Sequence, residues 1–325
     1  MGIQQMLLGS GPSGPVTGQV DFDDHSSLDY STTWTVPDGV EYISVLCIGR
    51  GGVRASGLWG GAGGSLAYFN SIAVVPGDTY NIYICGGASA TDDCTISPFT
   101  NNERWTVGSR IRHASGSGVY WELVAYAAEN HVAGVSDGAG GGESHTASLV
   151  HGSFASYKGG SGGQAGTTTS GWGYTNYYPG GGGGAAGYGG DGGEGGDGSE
   201  WDNNTGPNAG GGGGGGAGGW YRDPDSEAAG TYGHAGGGGG VGKFGQGSNG
   251  AAASSQGYSG VGGSGGTPTS SLSTNQGHAG VYGGGASNHT IGIGFGGGDT
   301  GGKGLVRIIW PGDTRYYPNT NTANQ

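Results

Sequence analysis

The sequence predicts an all-β fold, in which an antiparallel β-sandwich carries a large inserted glycine-rich domain of packed polyglycine II helices. Two observations support this fold class. Short apolar runs bounded by Gly, Pro and Asp occur near both ends of the chain, as is typical of antiparallel strands. Between these runs, residues 138–304 contain most of the 87 glycines of the chain, with aromatic residues scattered among them.

Several apolar runs indicate the strands of the sandwich. Residues 34–40 fit a strand followed by a turn, and residues 41–48 fit a second strand that is apolar on both faces. Residues 66–75 and 79–85, separated by a Pro-Gly-Asp turn, predict an antiparallel hairpin. Residues 304–310 predict a short strand that returns to the first sheet.

The segment between these runs and the glycine-rich region is less regular. Residues 105–107 and 119–126 are interpreted as further strands, with one short helix as the alternative. Both runs combine β-branched and aromatic residues, which favour strands.

Glycine at the density of residues 138–304 normally indicates a disordered linker, because each ordered Gly costs about 0.5 to 1 kcal/mol more than Ala. Disordered linkers are poor in aromatic residues, whereas this segment has many. Glycine chains pack as polyglycine II helices, with about three residues per turn and hydrogen bonds only to neighbouring helices. We therefore predict an ordered bundle in which the glycine-poor pieces form loops at the ends of the glycine tracts.

Composition and charge exclude several functions. The net charge of −13 disfavours binding to nucleic acid or anionic lipid. No apolar run is long enough to span a membrane, and the opening residues are too short and uncharged for a signal peptide. Cys47, Cys85 and Cys94 show neither disulfide-framework nor zinc spacing and are interpreted as free thiols.

Metal and cofactor sites are not predicted either. The eight histidines form no metal-binding motif, and the glycine runs lack a nucleotide-binding motif. We therefore predict no metal, no cofactor and no catalytic residue, and we do not expect an enzyme.

The candidate binding residues are aromatic side chains and carboxylates in the glycine-poor pieces. Aromatic side chains supply rigid contact area at binding sites, and carboxylates suit sugar hydroxyls or a basic protein surface. The alternative is that the aromatic residues fill gaps beside the glycine bundle and that the carboxylates keep the chain soluble. The candidates are Trp172, Tyr174, Tyr177, Tyr178, Trp201, Asp202, Trp220, Tyr221 and Asp223.

An acidic repeat lies in the same region. Asp191, Glu194 and Asp197 recur every third residue, so they share one face of a polyglycine II helix. Their spacing of about 9 Å along such a helix is too long for one Ca²⁺ ion. We interpret them as solvated, with separate ion ligands as the alternative.

Several motifs resemble the glycine-rich tail proteins of tailed phages. They are the opening residues 3–9, the strand and turn at 34–40, the alternating glycine tracts, and the ending 301–312 with 317–320. The glycine-rich body also resembles the tail-fibre-tip adhesins of T-even-like phages, in which polyglycine II helices form a sandwich and the loops between glycine motifs bind the host receptor. The N-terminus departs from the fibre-attachment region of those adhesins.

The resemblance implies a bacteriophage tail-tip or tail-fibre adhesin. Its partners would be a host cell-surface receptor, either an outer-membrane protein or a polysaccharide, and other phage tail or fibre proteins, with no nucleic acid and no membrane insertion. It would be located in the virion, in the phage tail, after assembly in the host cytoplasm. The implied domains are an N-terminal attachment segment (1–30), a β-sandwich domain (31–137), a glycine-rich polyglycine II domain with receptor-facing loops (138–304), and a C-terminal strand returning to the sandwich with a tail (305–325).

Two other functions stay open from the sequence. The chain could be a structural tail or fibre component whose loops contact neighbouring subunits and not a receptor. It could also be a tail-associated polysaccharide depolymerase with two catalytic carboxylates, which a retaining mechanism needs about 5 to 5.5 Å apart. No spacing of acidic residues in the sequence selects such a pair.

Overall fold

A computed structural model of the chain consists of β-strands and extended glycine segments in the residues that it describes, and those residues contain no helix. They are residues 16–23, 29–53, 60–85, 108–118, 120–128, 152–163, 166–169, 175–178, 180–195, 220–221, 234–235, 238–243, 280, 282–286 and 301–318. The strands are β1 (Gly18–Phe22), β2 (Asp29–Thr35), β3 (Tyr42–Ile48), β4 (Leu66–Ala73), β5 (Thr79–Cys85), β6 (Ser109–Ser115), β7 (Glu122–Ala125), β8 (Ser153–Tyr157), β9 (Gly166–Thr169), β10 (Thr175–Tyr178), β11 (Trp220–Tyr221), β12 (His234–Ala235) and β13 (Leu305–Trp310). All their pairings are antiparallel, so the predicted all-β antiparallel class is confirmed.

The larger sheet has five strands in the order β1-β13-β3-β4-β8. Its central strand β3 is buried on both faces, as its sequence predicts. Ile43, Val45 and Cys47 belong to one apolar cluster, whereas Leu46 and Ile48 belong to another on the opposite face. The five-stranded sheet is therefore covered on both sides.

The smaller sheet has four strands in the order β2-β5-β6-β7. Its apolar face shares one core with the five-stranded sheet. Aromatic contacts cross this core: the ring centroids of Trp34 and Trp310 are 5.9 Å apart, and those of Phe69 and Trp121 are 6.1 Å apart with an edge-to-face geometry. Cys47 is a free, buried thiol in this core, and burial raises its pKa. Cys94 and the side chain of Cys85 lie outside the described part of the chain.

The predicted hairpin of residues 66–75 and 79–85 is wrong. β4 pairs with β3 and β8 in the five-stranded sheet, whereas β5 pairs with β2 and β6 in the four-stranded sheet. Phe69 of β4 and Ile82 of β5 face the shared core from opposite layers. The turn residues are present as predicted, but residues 74–78 connect the two layers and do not form a hairpin loop.

Residues 36–41 make a second connection between the layers. The two connections hydrogen-bond to each other: the amide of Val36 donates to the carbonyl of Asp78 at 2.9 Å, and the amide of Gly77 donates to the carbonyl of Val36 at 3.0 Å. The Asp78 carboxylate also accepts hydrogen bonds from the amides of Ser117 and Gly118, at 3.0 and 2.8 Å. The Asp78 carboxylate thus ties the connection between the layers to the turn between β6 and β7.

The remaining strand predictions have mixed outcomes. Residues 119–126 contain β7, so the strand interpretation is confirmed over the helix. Residues 105–107 lie outside the described residues. β1, β6, β8 and the short strands β9 to β12 were not predicted. β1 lies beside β13, which itself pairs with β3.

Four glycine tracts continue strands of the five-stranded sheet. We call them the inner tracts: residues 49–53 after β3, 60–65 before β4, 158–163 after β8 and 301–304 before β13. The tract after β3 hydrogen-bonds to the tracts before β13 and β4, and the tract before β4 hydrogen-bonds to the tract after β8. The lateral order of the tracts therefore repeats the order of the strands.

Hydrogen bonds between inner tracts recur every third residue. Beyond the β3–β4 pairing, the amide of Gly49 donates to the carbonyl of Ser65 at 2.8 Å, and the amide of Gly52 donates to the carbonyl of Ala62 at 2.8 Å. Bonded positions in an antiparallel β-ladder recur at every second residue. The tracts thus keep the pairing of the strands but adopt a different backbone repeat.

A second layer of glycine tracts covers the inner tracts. We call its members the outer tracts: residues 180–187, 191–195, 238–241 and 282–286. The amide of Gly183 donates to the carbonyl of Gly61 at 2.8 Å, and the amide of Ala186 donates to the carbonyl of Gly64 at 3.0 Å, which is again a three-residue interval. Backbone hydrogen bonds between chain-distant glycines hold the two layers together.

Candidate functional site

The tracts define one end of the molecule at which the candidate segments begin and end. We call the end of the tracts that is remote from the five-stranded sheet the distal end. Four chain segments start and finish there: residues 54–59, 164–179, 196–237 and 287–300. All nine candidate binding residues belong to the second and third of these segments.

The first candidate segment contains the antiparallel pair β9–β10. Tyr177 and Tyr178 are in β10, where Tyr177 lies opposite Thr167 and Tyr178 lies opposite Gly166. Trp172 and Tyr174 lie outside the described residues, in the stretch of chain that joins the two strands. The four predicted aromatic residues of this segment are thus on one strand and on its connection to the other.

The second candidate segment contains the short pair β11–β12. Trp220 and Tyr221 form β11, with Tyr221 opposite His234 and Trp220 opposite Ala235. Trp201, Asp202 and Asp223 lie outside the described residues. The pairing brings the chain on either side of residues 222–233 together.

The bases of the candidate segments are hydrogen-bonded neighbours. The amide of Gly163 donates to the carbonyl of Gly181 at 2.8 Å, which closes the base of residues 164–179. The amide of Gly195, the last tract residue before the second segment, donates to the carbonyl of Ser161 at 2.8 Å. The amide of Gly60, where residues 54–59 end, donates to the carbonyl of Gly163 at 3.1 Å. Three distal segments therefore adjoin one another at their bases.

Only glycine fits where the tracts touch. A Cβ on Gly63 would lie 1.8 Å from the carbonyl oxygen of Gly184, and a Cβ on Gly160 would lie 1.9 Å from that of Gly193. Both obstacles are backbone atoms that no side-chain rotation can move away. The glycines are required by close backbone approach, and their density gives the distal segments a closely packed base.

Tyrosines attach the outer tracts to the five-stranded sheet. Tyr188 stacks on Tyr317 with ring centroids 6.0 Å apart and on Tyr68 of β4 at 6.3 Å. The buried hydroxyl of Tyr188 donates to the carbonyl of Gly242 at 2.8 Å. Burial, and then the neighbouring Tyr157, raise the pKa of Tyr68 to about 12, so its hydroxyl is neutral at physiological pH.

A polar cluster attaches another part of the glycine layer to β1. Lys243 Nζ lies 2.6 Å from Asp21 Oδ2 and 3.4 Å from Asp23 Oδ2, and the Tyr282 hydroxyl donates to Asp23 Oδ2 at 2.6 Å. Fully buried Arg307 of β13 lies 3.3 Å from Asp21 Oδ1. Burial lowers the pKa of Lys243, but the two carboxylates raise it more, so the net shift is upward. Two carboxylates thus balance two cations here.

The acidic repeat is only partly described. The backbone amide of Lys158 donates to Asp191 Oδ1 at 2.8 Å, so Asp191 ties an outer tract to an inner one. Glu194 is exposed, and Asp197 lies outside the described residues. Within the part of the chain that the structure describes, no group of three or more His, Cys, Asp or Glu side chains is placed to hold a metal ion. The same part contains no helix that is long and apolar enough to cross a membrane.

Sequence reasoning missed the contribution of residues 49–53 and 60–65. They lie outside the predicted glycine-rich domain, yet they form half of the inner tracts. Their glycines carried the signal, because each run directly adjoins a buried strand. The same omission left residues 54–59, which include Arg54 and Trp59, out of the candidate list.

The fold and the distal site describe an antiparallel β-protein whose sheet extends into a layered glycine region. The chain belongs to a glycine-rich family: residues 26–234, well over half of the sequence, match the family model described as a glycine-rich domain. The match includes both candidate segments, except for the last residues of the second. The chain matches none of the curated proteins with which it was compared.

Proposed function

We propose that this chain is a bacteriophage tail-tip or tail-fibre adhesin that binds a host surface receptor through its distal segments. The observation that supports the proposal is that the two chain segments containing the nine candidate residues have adjoining bases, at Gly163, Gly181 and Gly195. A receptor surface assembled from separate segments needs such a shared base.

We further propose that the glycine tracts are polyglycine II helices packed on a β-sandwich. The three-residue interval of the lateral hydrogen bonds supports this, because polyglycine II has about three residues per turn and no internal hydrogen bonds. The contact of tract backbones at positions such as Gly63 supports it too. The shared core of the two sheets supports the sandwich.

A closely packed base favours binding by the segments that it carries. Ordering a loop on binding opposes affinity, and a base that already fixes both loop ends reduces that loss. Tyr and Trp then supply large contact area with few rotatable bonds. The predicted aromatic segments combine both properties.

The proposed partners follow from the same site. A host outer-membrane protein or polysaccharide would occupy the distal end, and other phage tail or fibre proteins would hold the chain in the virion after assembly in the host cytoplasm. The net charge of −13 opposes nucleic acid as a partner.

The proposal is tested by binding of the fluorescently labelled full-length chain to host cells, with unlabelled chain used to block phage adsorption. We expect saturable binding, and we expect Trp172→Ala and Trp220→Ala each to weaken it about tenfold or more. Tyr120→Ala is the matched control, because Tyr120 is an exposed aromatic residue in the sheet region, outside the distal segments. Heat unfolding checks that every variant is folded.

Two results would contradict the adhesin. A folded chain that binds no host cell would favour the structural tail component. Binding that Tyr120→Ala weakens as much as Trp220→Ala would place the receptor site away from the distal segments.

A further inference from the structure

The largest exposed apolar side chains of the described residues gather at the end of the two sheets that is remote from the glycine tracts, which we call the basal end. They are Val16, Tyr42, Val75, Tyr120, Phe154 and Tyr316. Strand registers locate them: Tyr42 begins β3 opposite Ala73 at the end of β4, and Phe154 lies near the start of β8. Tyr120 precedes β7, in the same region as Val75 and the Asp78 carboxylate.

β1 begins and β13 ends at this basal end. Gly18, the first residue of β1, lies opposite Trp310, the last residue of β13. Val16 precedes that position, and its side chain lies near Gly39 in the connection between the layers. Residues 311–318 continue from Trp310, and the amide of Gly312 donates to the carbonyl of Tyr42 at 2.8 Å. The basal and distal ends are therefore opposite poles of the molecule.

Among the residues that the structure describes, the exposed charges nearest to these apolar side chains are negative. Asp38 lies in the connection after β2, Glu41 precedes Tyr42, and Asp313 follows Gly312; all three side chains are exposed. The guanidinium of Arg112 is engaged with the Tyr120 ring, at 5.5 Å from its centroid. Exposed apolar side chains and exposed carboxylates thus lie side by side at the basal end.

We propose that the basal end is the surface through which the chain is held in the virion, and that its partner is a neighbouring virion protein with an apolar patch rimmed by Lys and Arg. This inference rests on the proposed function. Exposed apolar side chains concentrated at one end of the sheets favour an interaction site, and the carboxylates beside them select a partner of opposite sign. A second copy of this chain is the wrong partner, because its carboxylates would meet the same carboxylates.

Photocrosslinking in phage particles tests the partner. The photoreactive amino acid p-benzoylphenylalanine replaces Tyr42 or Tyr316 in the full-length chain, and particles are purified, irradiated and analysed by mass spectrometry. We expect crosslinks from both positions to another virion protein, at peptides rich in Lys and Arg. The control replaces Tyr221 at the distal end, from which we expect no crosslink to a virion protein.

Charge reversal provides a second readout. The triple variant Asp38→Lys, Glu41→Lys and Asp313→Lys should lower the number of chains per particle about tenfold, because it replaces three attractive charges at the interface by repulsive ones. Reversal of Glu194, an exposed carboxylate on an outer tract, is the control and should leave incorporation unchanged. Thermal unfolding of each purified variant shows whether it is folded.

The outcomes separate this inference from the proposed function. Crosslinks only between copies of the chain, or no crosslinks from Tyr42 and Tyr316 in particles that contain the chain, would overturn the basal interface and leave the adhesin standing. Absence of the chain from the particles would overturn both.

Discussion

The carboxamide of Asn70 makes two hydrogen bonds with the backbone of Tyr317, 247 residues further along the chain. Its Nδ2 donates to the Tyr317 carbonyl at 2.7 Å, and its Oδ1 accepts from the Tyr317 amide at 2.9 Å. Asn70 is available because the β3–β4 register shifts between Ile43 and Val45, next to Ser71 with its positive φ of 56°. The bulge in β4 thus holds the C-terminal residues against the five-stranded sheet.

Replacement of Asn70 by Ala should lower the free energy of unfolding by about 2 kcal/mol, because the Tyr317 amide and carbonyl are buried and lose their partners. Urea unfolding followed by tryptophan fluorescence measures the change. Ser153→Ala is the control, since the Ser153 hydroxyl only accepts a hydrogen bond of 3.3 Å from Asn70 Nδ2. Its replacement should lower the free energy of unfolding by less than about 0.5 kcal/mol. Equal effects of the two variants would contradict the paired amide.

Replacement of Gly63 by Ala should destabilise the chain by about 3 kcal/mol or more, because the new methyl group would meet the backbone of Gly184. Gly77→Ala adds the same group in open space at a φ of +86° and should cost only about 1 to 2 kcal/mol. Heat unfolding of both variants compares the two costs. Similar melting temperatures would show that the tracts are not in close contact.

Replacement of Asp21 by Asn should lower the free energy of unfolding by about 3 kcal/mol, because Arg307 is fully buried and Lys243 loses its nearer carboxylate. Tyr282→Phe should cost about 1 kcal/mol, since it removes one hydrogen bond to Asp23. Asp313→Asn changes an exposed carboxylate and serves as the control. The prediction fails if Asp21→Asn is as mild as Asp313→Asn.

Alkaline pH should destabilise the fold. Burial raises the pKa of Tyr68 and of Tyr80 from 10.0 to about 12. The unfolded chain therefore loses these protons first, so the contribution of these two tyrosines to the free energy of unfolding should be constant below about pH 10 and fall between pH 10 and 12. Urea unfolding at a series of pH values measures the slope. Tyr80→Phe should reduce that slope, whereas a flat profile would contradict the buried neutral hydroxyls.

The spacing of apolar residues and the turn residues were sufficient to predict the all-β class and the buried strand β3. They were not sufficient to predict the sheet to which each strand belongs. The Pro-Gly-Asp turn before β5 fits both a hairpin and a connection between sheets, and the choice between them depends on how the two sheets pack on their shared core. β6 carries Arg110, Arg112 and His113 around a single core residue, Ile111, so its apolar alternation is too weak to detect. β1 and β8 are short and are defined mainly by their partners.

For the candidate site, residue type was sufficient to propose aromatic residues as binding candidates, but not to predict which chain segments have adjoining bases. The common base of the two candidate segments depends on the pairing of Gly163 with Gly181 and of Gly195 with Ser161. One glycine looks like another in sequence, so tract partners cannot be read from residue type. Asp23 and Tyr282 show the same limit, since 259 residues separate the two groups of one hydrogen bond.

The unbroken passage from strands to inner tracts has a mechanical consequence. A pull on the distal ends of the inner tracts is transmitted along the backbones of β3, β4, β8 and β13, because each described tract passes directly into its strand. The lateral hydrogen bonds lie across this direction and are loaded together in shear, so many must break at once before the chain extends. A fold built in this way resists tension best along the direction of its strands.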